Sequence, residues 1–251
     1  MSSRPERFHE LHRSGTFVMP NPWDVGSARF LEAMGFPALA TTSSGHAATL
    51  GREDQHVTLN EAIDHVGEIC AAVDVPVNVD LEWGFASAPE GLAAVIDRIA
   101  EAGAAGFSLE DFDPVAGAIV PTDVAATRVA AGAEAANRHG LVLTARAENH
   151  LYGVTDLDDT IDRLERFVAA GAHVVYAPGV TQPDDVARTV TIGAPVNVLA
   201  FPGAPTVPEL SALGVRRIST GGALARVAYT AARRAADELL AEGTYGYLQK
   251  M

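Results

Sequence analysis

The chain has 251 residues, of which 48% are hydrophobic and 20% charged, and its formal net charge is −14. This composition is typical of a globular protein with a large core, and the acidic balance argues against nucleic acid or an anionic membrane as a partner. Cys70 is the only cysteine, which excludes a disulfide framework and a cysteine-based zinc site.

Two further features of the composition narrow the expected chemistry and location. The first residues are polar and lack the apolar segment of a signal peptide, and no apolar run reaches membrane-spanning length, so we expect a cytoplasmic protein. The single lysine, Lys250, lies next to the C-terminus, which argues against a buried Schiff-base or general-base lysine.

Apolar β-branched runs and amphipathic runs alternate along the chain. After a leading helix at Glu6–Arg13, the patterns predict eight strands, each followed by a helix. The predicted strands are Phe17–Met19, Ala38–Thr42, Val75–Leu81, Gly106–Leu109, Val142–Ala147, His173–Ala177, Val196–Leu199 and Arg216–Ser219. The predicted helices are Val25–Met34, Leu59–Val73, Pro89–Ala102, Asp123–His139, Leu157–Ala170, Gln182–Thr191, Val207–Leu213 and Ala223–Ala241, with loops at Ala47–His56 and Asp111–Pro121.

Eight βα units in about 250 residues are the expected size of one (β/α)₈ TIM barrel, an α/β fold. No linker divides the units, so we predict one domain over residues 1–251, with 223–251 as a terminal helix and tail that pack in an oligomer. A doubly wound open sheet is the alternative, but the first strand-to-helix turn lacks its Gly-x-Gly-x-x-Gly sequence.

The third predicted strand carries the strongest chemical signal. Alternation along Val75–Leu81 predicts that Asn78, Asp80 and Glu82 share one face of the sheet. Two carboxylates crowded at the end of an apolar strand repel each other unless a cation lies between them, and Mg²⁺ is the simplest candidate. A solvated strand end is the alternative reading of an isolated Asp-x-Glu.

Other polar residues gather at the same ends of the predicted strands, where barrel enzymes place their active sites. Glu110 ends the fourth strand and Arg146 the fifth, beside Asp80 and Glu82, which fits a metal-assisted site for a small anionic substrate. A plain internal Glu110–Arg146 salt bridge is the structural alternative. The expected substrate-binding residues are Thr42, Ser43, Ser44, Gly45, Arg146 and Asn197, with His150 as a further acid or base.

These segments resemble the isocitrate lyase/phosphoenolpyruvate mutase superfamily. The run Val79–Phe85 is similar to its Asp-x-Asp-x-Gly-Tyr-Gly metal motif, Ser108–Asp111 to its Leu/Ile-Glu-Asp strand, and Ala145–Glu148 to its Ala-Arg-x-Glu/Asp strand. Leu50–Asp54 is similar to its Leu-Gly-x-x-Asp loop, and Asn21–Asp24 with Ser27-Ala28 to its first strand-to-helix turn. The resemblance covers nearly the whole chain, in order.

The resemblance implies a barrel whose last helix is exchanged with a neighbouring subunit, in a homotetramer that is a dimer of dimers. It implies that Asp80 binds Mg²⁺ directly, with Mn²⁺ as an alternative ion, and that Glu82, Glu110 and Asp54 hold the ion's waters. Arg146 would grip the substrate, and Arg146, Glu110 and Asp54 are the expected catalytic residues. The implied activity is that of a C–C bond lyase or decarboxylase acting on a 2-oxo or 2-hydroxy acid through a metal-stabilised, pyruvate-enolate-like intermediate.

The chain departs from the superfamily pattern after the fourth strand. The loop Phe112–Pro121 has no Cys, Lys or His, whereas the lyases carry a Lys-Lys/Arg-Cys-Gly-His loop and the mutases a Lys-Thr-Asn type loop. Cleavage of isocitrate or methylisocitrate is therefore disfavoured, and an oxaloacetate-decarboxylase-like reaction is favoured. Two alternatives stay open, a phosphoenolpyruvate or carboxyphosphonoenolpyruvate phosphonomutase and a barrel that binds metal and oxo acid without catalysis.

Overall fold

The computed structural model describes residues 2–250, without the side chain of Lys250. Eight parallel strands form one sheet: β1 (Phe17–Met19), β2 (Leu39–Ala40), β3 (Val77–Asp80), β4 (Gly106–Glu110), β7 (Val142–Arg146), β8 (Val174–Tyr176), β9 (Val196–Leu199) and β10 (Arg217–Ser219). A separate two-stranded antiparallel hairpin, β5 (Phe112–Asp113) with β6 (Ala118–Ile119), follows β4. The predicted strand positions are thus confirmed. The ends of several strands are one or two residues shorter than predicted, and β4 is one residue longer.

The helices of the described residues alternate with these strands. They are α1 (Arg4–Leu11), α2 (Val25–Ala33), α3 (Ser43–Thr49), α4 (Leu59–Ala72), α5 (Leu92–Glu101), α6 (Thr122–His139), α7 (Leu157–Ala169), α8 (Pro183–Val190), α9 (Val207–Ala212) and α10 (Ala223–Glu242). Short 3₁₀ segments lie at Pro89–Gly91 and Gly246–Lys250.

The sheet curls into a nearly closed barrel. The strand order is β1-β10-β9-β8-β7-β4-β3-β2, so the first and second strands lie at its two edges. A backbone hydrogen bond of 3.1 Å from the Ala40 N–H to the Pro20 carbonyl joins these edges. Every ladder of the barrel is parallel, as the crossover through a helix requires. The single-domain (β/α)₈ barrel predicted from the sequence is confirmed.

The main core lies between the strands and the surrounding helices. Amphipathic spacing explains how each helix contributes, as in α7, where Thr160, Leu164 and Phe167 recur on one buried face. Facing strand residues such as Val79, Phe107 and Leu143 are almost fully buried. This packed layer fixes the strands, and the strand ends in turn fix the side chains that open into the barrel mouth.

One helix was not predicted. The sequence predicts a strand at Ala38–Thr42 and a loop at Ala47–His56, but helix α3 spans Ser43–Thr49. Thr42 is its N-cap, with an extended backbone and a hydroxyl that accepts the Gly45 N–H at 3.3 Å. The hydroxyl residues at the end of β2 are therefore held on the first turn of a helix.

The terminal helix α10 differs from the others in its burial. Only Ala225 of its twenty residues is buried, while Val227, Tyr229 and Leu240 are exposed by 66%, 47% and 91%. Apolar side chains on an exposed helix are typical of a surface that another chain covers. Exchange of this helix between subunits remains a prediction. Across residues 2–250, no helix has both the length and the apolar character needed to cross a membrane.

Candidate active site

The barrel topology brings the charged strand ends side by side. Asp80 ends β3, Glu110 ends β4 and Arg146 ends β7, and these three strands are neighbours in the sheet. The register pairs Glu110 with Arg146, and Arg146 with Tyr176 at the end of β8. All four side chains therefore meet at the carboxyl end of the barrel, where enzymes of this architecture bind substrate.

Arg146 lies between three carboxylates. Its Nη1 donates to Asp80 Oδ1 at 2.7 Å, its Nε donates to Glu148 Oε1 at 2.8 Å, and its Nη2 lies 3.4 Å from Glu110 Oε2. The guanidinium carbon also lies 5.3 Å from the centre of the Tyr176 ring. Burial lowers the pKa of Arg146, but the three surrounding acids raise it well above its ordinary value, so the side chain is a fixed cation.

Asp80 is held by both neighbouring strands and by α3. The Ser43 N–H donates to Asp80 Oδ2 at 3.1 Å, and the Ser108 hydroxyl donates to Oδ1 at 3.4 Å. The backbone N–H of Asp80 donates to the Thr41 hydroxyl at 2.9 Å. The carboxylate is therefore oriented before any ligand binds.

The predicted alternation of side chains along the third strand does not extend to Glu82, although Glu82 and Asp80 line the same small cavity. The strand ends at Asp80, and Glu82 has a φ of +51°, which breaks the alternation of side chains. Its side chain instead enters a small neighbouring cavity, where Oε1 is buried and has no hydrogen-bond partner among the described residues. A positive φ at a buried, non-glycine residue is a local strain that surrounding structure must maintain.

Two contacts maintain this conformation of the loop after β3. Gly84 has a φ of +92°, and a Cβ atom there would lie 2.4 Å from Leu92 Cδ2, so only glycine fits. The buried Arg128 on α6 donates to the carbonyls of Trp83 and Ala86, and its guanidinium lies 3.6 Å from the centre of the Trp83 ring. The loop is thus fixed from beneath.

Burial and mutual repulsion raise the pKa values of the acids around Arg146. Burial, then the charges of Asp80 and Asp54, raise the pKa of Glu82 to about 8. Burial raises the pKa of Glu148 and brings that of Glu110 well above its ordinary value. Burial and the charge of Asp80 also raise the pKa of Asp54, although this residue stays exposed to solvent. The site therefore has more negative charge than one guanidinium balances.

This excess of carboxylates fits a divalent cation. No group of three or more His, Cys, Asp or Glu residues within residues 2–250 is arranged to hold a metal ion by direct contacts. Mg²⁺ needs only one or two carboxylates and keeps several waters, which more distant acids can hold. The orphaned, buried Oε1 of Glu82 and the fixed carboxylate of Asp80 are suited to such an arrangement.

A cavity of about 630 Å³ opens above the barrel and contains part of the predicted site. Its volume is large for a small acid alone and lies within the usual range of ligand pockets. The predicted site residues in its wall are Thr42, Ser43, Ser44, Asp54, Asp80, Arg146 and Asn197. Gly45, Glu82, Glu110 and His150 lie outside this wall. Glu110 contacts Arg146 behind it, and Gly45 is buried beneath Thr42 and Trp23.

Two predicted substrate-binding residues have other surroundings in the structure. The amide of Asn197 accepts a hydrogen bond from Arg217 Nε at 2.8 Å and donates one to the Ser219 hydroxyl at 2.9 Å. Asn197 therefore fixes two side chains of the cavity wall. His150 packs against Gly179 in the loop after β8, away from the cavity wall, and its buried Nε2 has no hydrogen-bond partner within the described part of the chain. The structure therefore does not bring His150 to the other site residues.

The charged cluster contains two residues that are not in the predicted site, although both lie at ends of predicted strands. Glu148 forms one of the two shorter contacts to Arg146, and Tyr176 lies beside the guanidinium in the cavity wall. The spacing of Arg146 and Glu148 was the available signal, since residues two apart near a strand end point the same way. For Tyr176 the signal was its position near the end of the predicted strand His173–Ala177.

The loop after β4, which departs from the superfamily pattern in sequence, contains a short antiparallel hairpin. Phe112 of β5 stacks on Tyr152 with ring centres 3.9 Å apart and planes 9° apart. Burial, then the charges of Glu110 and Glu148, raise the pKa of Tyr152 to about 12. The Gln55 amide, next to Tyr152, donates to Glu110 Oε1 at 3.5 Å. Aromatic and amide groups thus cover the outer side of the acidic cluster.

Comparisons with known proteins agree with this geometry. The sequence model of the family described as phosphoenolpyruvate phosphomutase matches residues 8–240. The uncharacterized Mycobacterium tuberculosis protein Rv1998c is 36% identical over 217 residues, covering 85% of this chain and 81% of the relative. Oxaloacetate decarboxylase 2 of Pseudomonas fluorescens is 29% identical over 237 residues, covering 89% of this chain and 79% of that enzyme.

The solved structure of a candidate lyase/mutase from Burkholderia cenocepacia J2315 superposes with a TM-score of 0.94 at 45% identity, covering 98% of this chain and 91% of that one. The match thus extends over the barrel, the acidic strand ends and the loops between them. The chain therefore belongs to the phosphoenolpyruvate phosphomutase family, in the isocitrate lyase/PEP mutase superfamily of lyases and mutases.

Proposed function

We propose that this protein is a Mg²⁺-dependent lyase that breaks a C–C bond in a small 2-oxo or 2-hydroxy carboxylic acid. The observation that carries the proposal is the position of Arg146, in the cavity wall and in contact with Asp80, Glu110 and Glu148. A bare cluster of acids would repel an anionic substrate, whereas one fixed guanidinium among them offers it a local cation.

The acids of the cluster would hold the ion. Asp80 would bind Mg²⁺ directly, and Glu82, Glu110 and Asp54 would hold its waters, with Mn²⁺ as an alternative ion. When bound, the ion supplies a Lewis acid that polarises the oxygen of the oxo acid and withdraws electrons from the breaking bond. The raised pKa values of Glu82 and Glu110 support this assignment, because added positive charge relieves their repulsion.

Arg146 and the first turn of α3 would bind the substrate carboxylate. The three contacts of Arg146 use one N–H on each nitrogen, so two of its five N–H groups remain for a ligand in the cavity. Thr42 and Ser44 lie in the same wall with their hydroxyls 3.2 Å apart. These groups would bind and orient the acid, while Asp54, exposed in the cavity, would donate a proton to the carbon left after cleavage.

Decarboxylation of a 3-carboxy-2-oxo acid is the reaction that best suits this residue set. Carbon dioxide leaves with its bond electrons remaining on the oxo-acid fragment, which then takes up one proton at carbon. No protein nucleophile takes part in this sequence. The hairpin after β4 has no Cys, Lys or His, and the similarity to an oxaloacetate decarboxylase supports the same reaction.

A phosphonomutase is the second candidate, because the matching family is described as phosphoenolpyruvate phosphomutase. That reaction moves a phosphorus group between oxygen and carbon of a phosphoenolpyruvate-like substrate. A barrel that binds metal and oxo acid without turnover is the third candidate, favoured by the missing loop acid or base. We expect a cytoplasmic homotetramer in each case, with the exposed face of α10 packed on another subunit.

The test is a screen for pyruvate release from 2-oxo, 2-hydroxy and phosphono acids, with Mg²⁺ and with EDTA. We expect Mg²⁺-dependent turnover of a 3-carboxy-2-oxo acid. Formation of a phosphonate from phosphoenolpyruvate would establish the mutase instead. Oxalate, which mimics the pyruvate enolate, should raise the melting temperature only when Mg²⁺ is present. Absence of turnover together with a metal-dependent oxalate shift would establish the binding protein.

A further inference from the structure

Two stacked histidines lie next to the candidate active site and take no part in the proposed chemistry. His46 on α3 and His65 on α4 have ring centres 3.8 Å apart and ring planes 14° apart. His65 is 7% exposed. Stacking in this way leaves the ring nitrogens pointing outward from the pair rather than at each other.

The pair and Glu82 line one small cavity. Its wall includes Ser43 and Asp80 of the active site and the apolar side chain of Phe85. Two buried polar atoms of this lining, His65 Nε2 and Glu82 Oε1, have no hydrogen-bond partner among the described residues. Unpaired buried polar atoms are rare in native proteins, and two on residues that line one space require an explanation.

The cavity has the size and the lining of a site for one water molecule. Its volume is about 20 Å³. A buried water needs about 10–15 Å³ and two to four polar partners. Burial lowers the pKa of His65 to about 4 and also lowers that of His46, so both rings are neutral and each offers one donor and one acceptor. A water there can accept from one imidazole and donate to Glu82.

We propose that His46 and His65 are positioning residues that hold the Glu82 carboxylate through one buried water. The inference rests on the proposed function, in which Glu82 holds the waters of the ion. It also accounts for the strained backbone of Glu82, because the positive φ directs this carboxylate into the cavity rather than along the sheet. Partners of this kind, behind the groups that serve a metal, change its affinity by about 10–100-fold.

The test compares His65→Phe, which keeps the stacked ring but removes its nitrogens, with His65→Gln, which keeps a polar end group. Binding of Mn²⁺ alone, measured by electron paramagnetic resonance, is the first readout. We expect about a tenfold or greater loss of affinity in His65→Phe and near wild-type affinity in His65→Gln. The matched control is His9→Phe, at the opposite end of the barrel near Gly140, which should leave Mn²⁺ affinity unchanged.

A crystal structure of the wild-type protein at high resolution gives the second readout. A water within hydrogen-bond distance of Glu82 Oε1 and one imidazole supports the inference. A dry cavity, or a His65→Phe variant that folds and binds Mn²⁺ as tightly as wild type, overturns it. If wild-type protein binds no Mn²⁺, the proposed function fails, and the presence or absence of this water still decides the role of the histidines.

Discussion

Arg146 Nη1 donates to Asp80 Oδ1 at 2.7 Å, so the acid expected to bind the metal is paired with the cation expected to bind the substrate. The two roles are compatible, because Asp80 has a second oxygen and lone pairs that the guanidinium does not use. In the absence of a divalent ion, Arg146 neutralises the neighbouring carboxylates. An added ion would contact the same carboxylates as Arg146. Metal binding at these carboxylates should therefore change the free energy of unfolding.

Replacing Asp80 by Asn should remove Mg²⁺ binding and activity while keeping the fold. The amide retains the shape of the side chain but loses the charge that a hard cation requires. We expect the Mg²⁺-dependent rise in melting temperature to disappear and turnover to fall by at least a hundredfold. Thermal melts with and without Mg²⁺ and a pyruvate-release assay measure the two effects.

Asp64→Asn is the matched control, since it removes one carboxylate from the exposed face of α4. This variant should bind Mg²⁺ like the wild type. Mg²⁺ binding that survives unchanged in Asp80→Asn would show that Asp80 is not the direct ligand.

Replacing Arg146 by Met should destabilise the metal-free protein and increase its dependence on Mg²⁺. The change leaves Asp80, Glu110 and Glu148 close together without their shared cation. Breaking a buried ion pair by removing one partner costs about 3–5 kcal/mol of unfolding free energy. Urea unfolding with EDTA and with Mg²⁺ should show a larger stabilisation by Mg²⁺ in the variant than in the wild type. Equal stabilisation of both proteins would mean that the ion binds away from these acids.

The fold and the meeting of Asp80, Glu110 and Arg146 could be predicted because both follow from rules of parallel barrels. Alternating strands and helices define the sheet, and the sheet aligns the carboxyl ends of its strands. The orientation of Glu82 could not be predicted in this way. Its positive φ lies in a loop where Gly84 closely approaches Leu92, a contact between segments that no local pattern encodes.

The same limit explains the unpredicted helix α3. The sequence does not show whether the Thr42 hydroxyl faces a ligand or caps a helix. The hydrogen bond from the Gly45 N–H to this hydroxyl identifies it as a helix cap. His150 illustrates how a loop changes the surroundings of a residue that follows a strand. Its position after a site strand predicted a role at the barrel mouth, but the chain turns it against Gly179.

Charged substitutions on α10 should separate the subunits. Leu240 is 91% exposed and Val227 66%, on a helix with one buried residue, which suits burial against a second copy. We expect wild-type protein to behave as a tetramer and the double variant Val227→Asp/Leu240→Asp to dissociate, as measured by light scattering after size-exclusion chromatography. Val115→Asp is the control, because Val115 is 93% exposed in the hairpin loop. A wild-type monomer, or a double variant that stays tetrameric, would contradict exchange of this helix.

Acidification should destabilise the protein through His12, which lies beneath the barrel. Burial, then the charge of Arg217, lower the pKa of His12 to about 3, and its Nδ1 contacts the Phe8 carbonyl at 2.7 Å. The folded chain therefore binds fewer protons at this residue than the unfolded chain between pH 6.5 and 3, so the unfolding free energy falls as pH drops through that range. From pH 7 to pH 5, the loss attributable to His12 is about 2 kcal/mol. Measured by urea unfolding at pH 7 and pH 5, the loss of unfolding free energy should be about 2 kcal/mol smaller in His12→Gln than in wild type. Equal losses in wild type and His12→Gln would show that His12 titrates alike in both states.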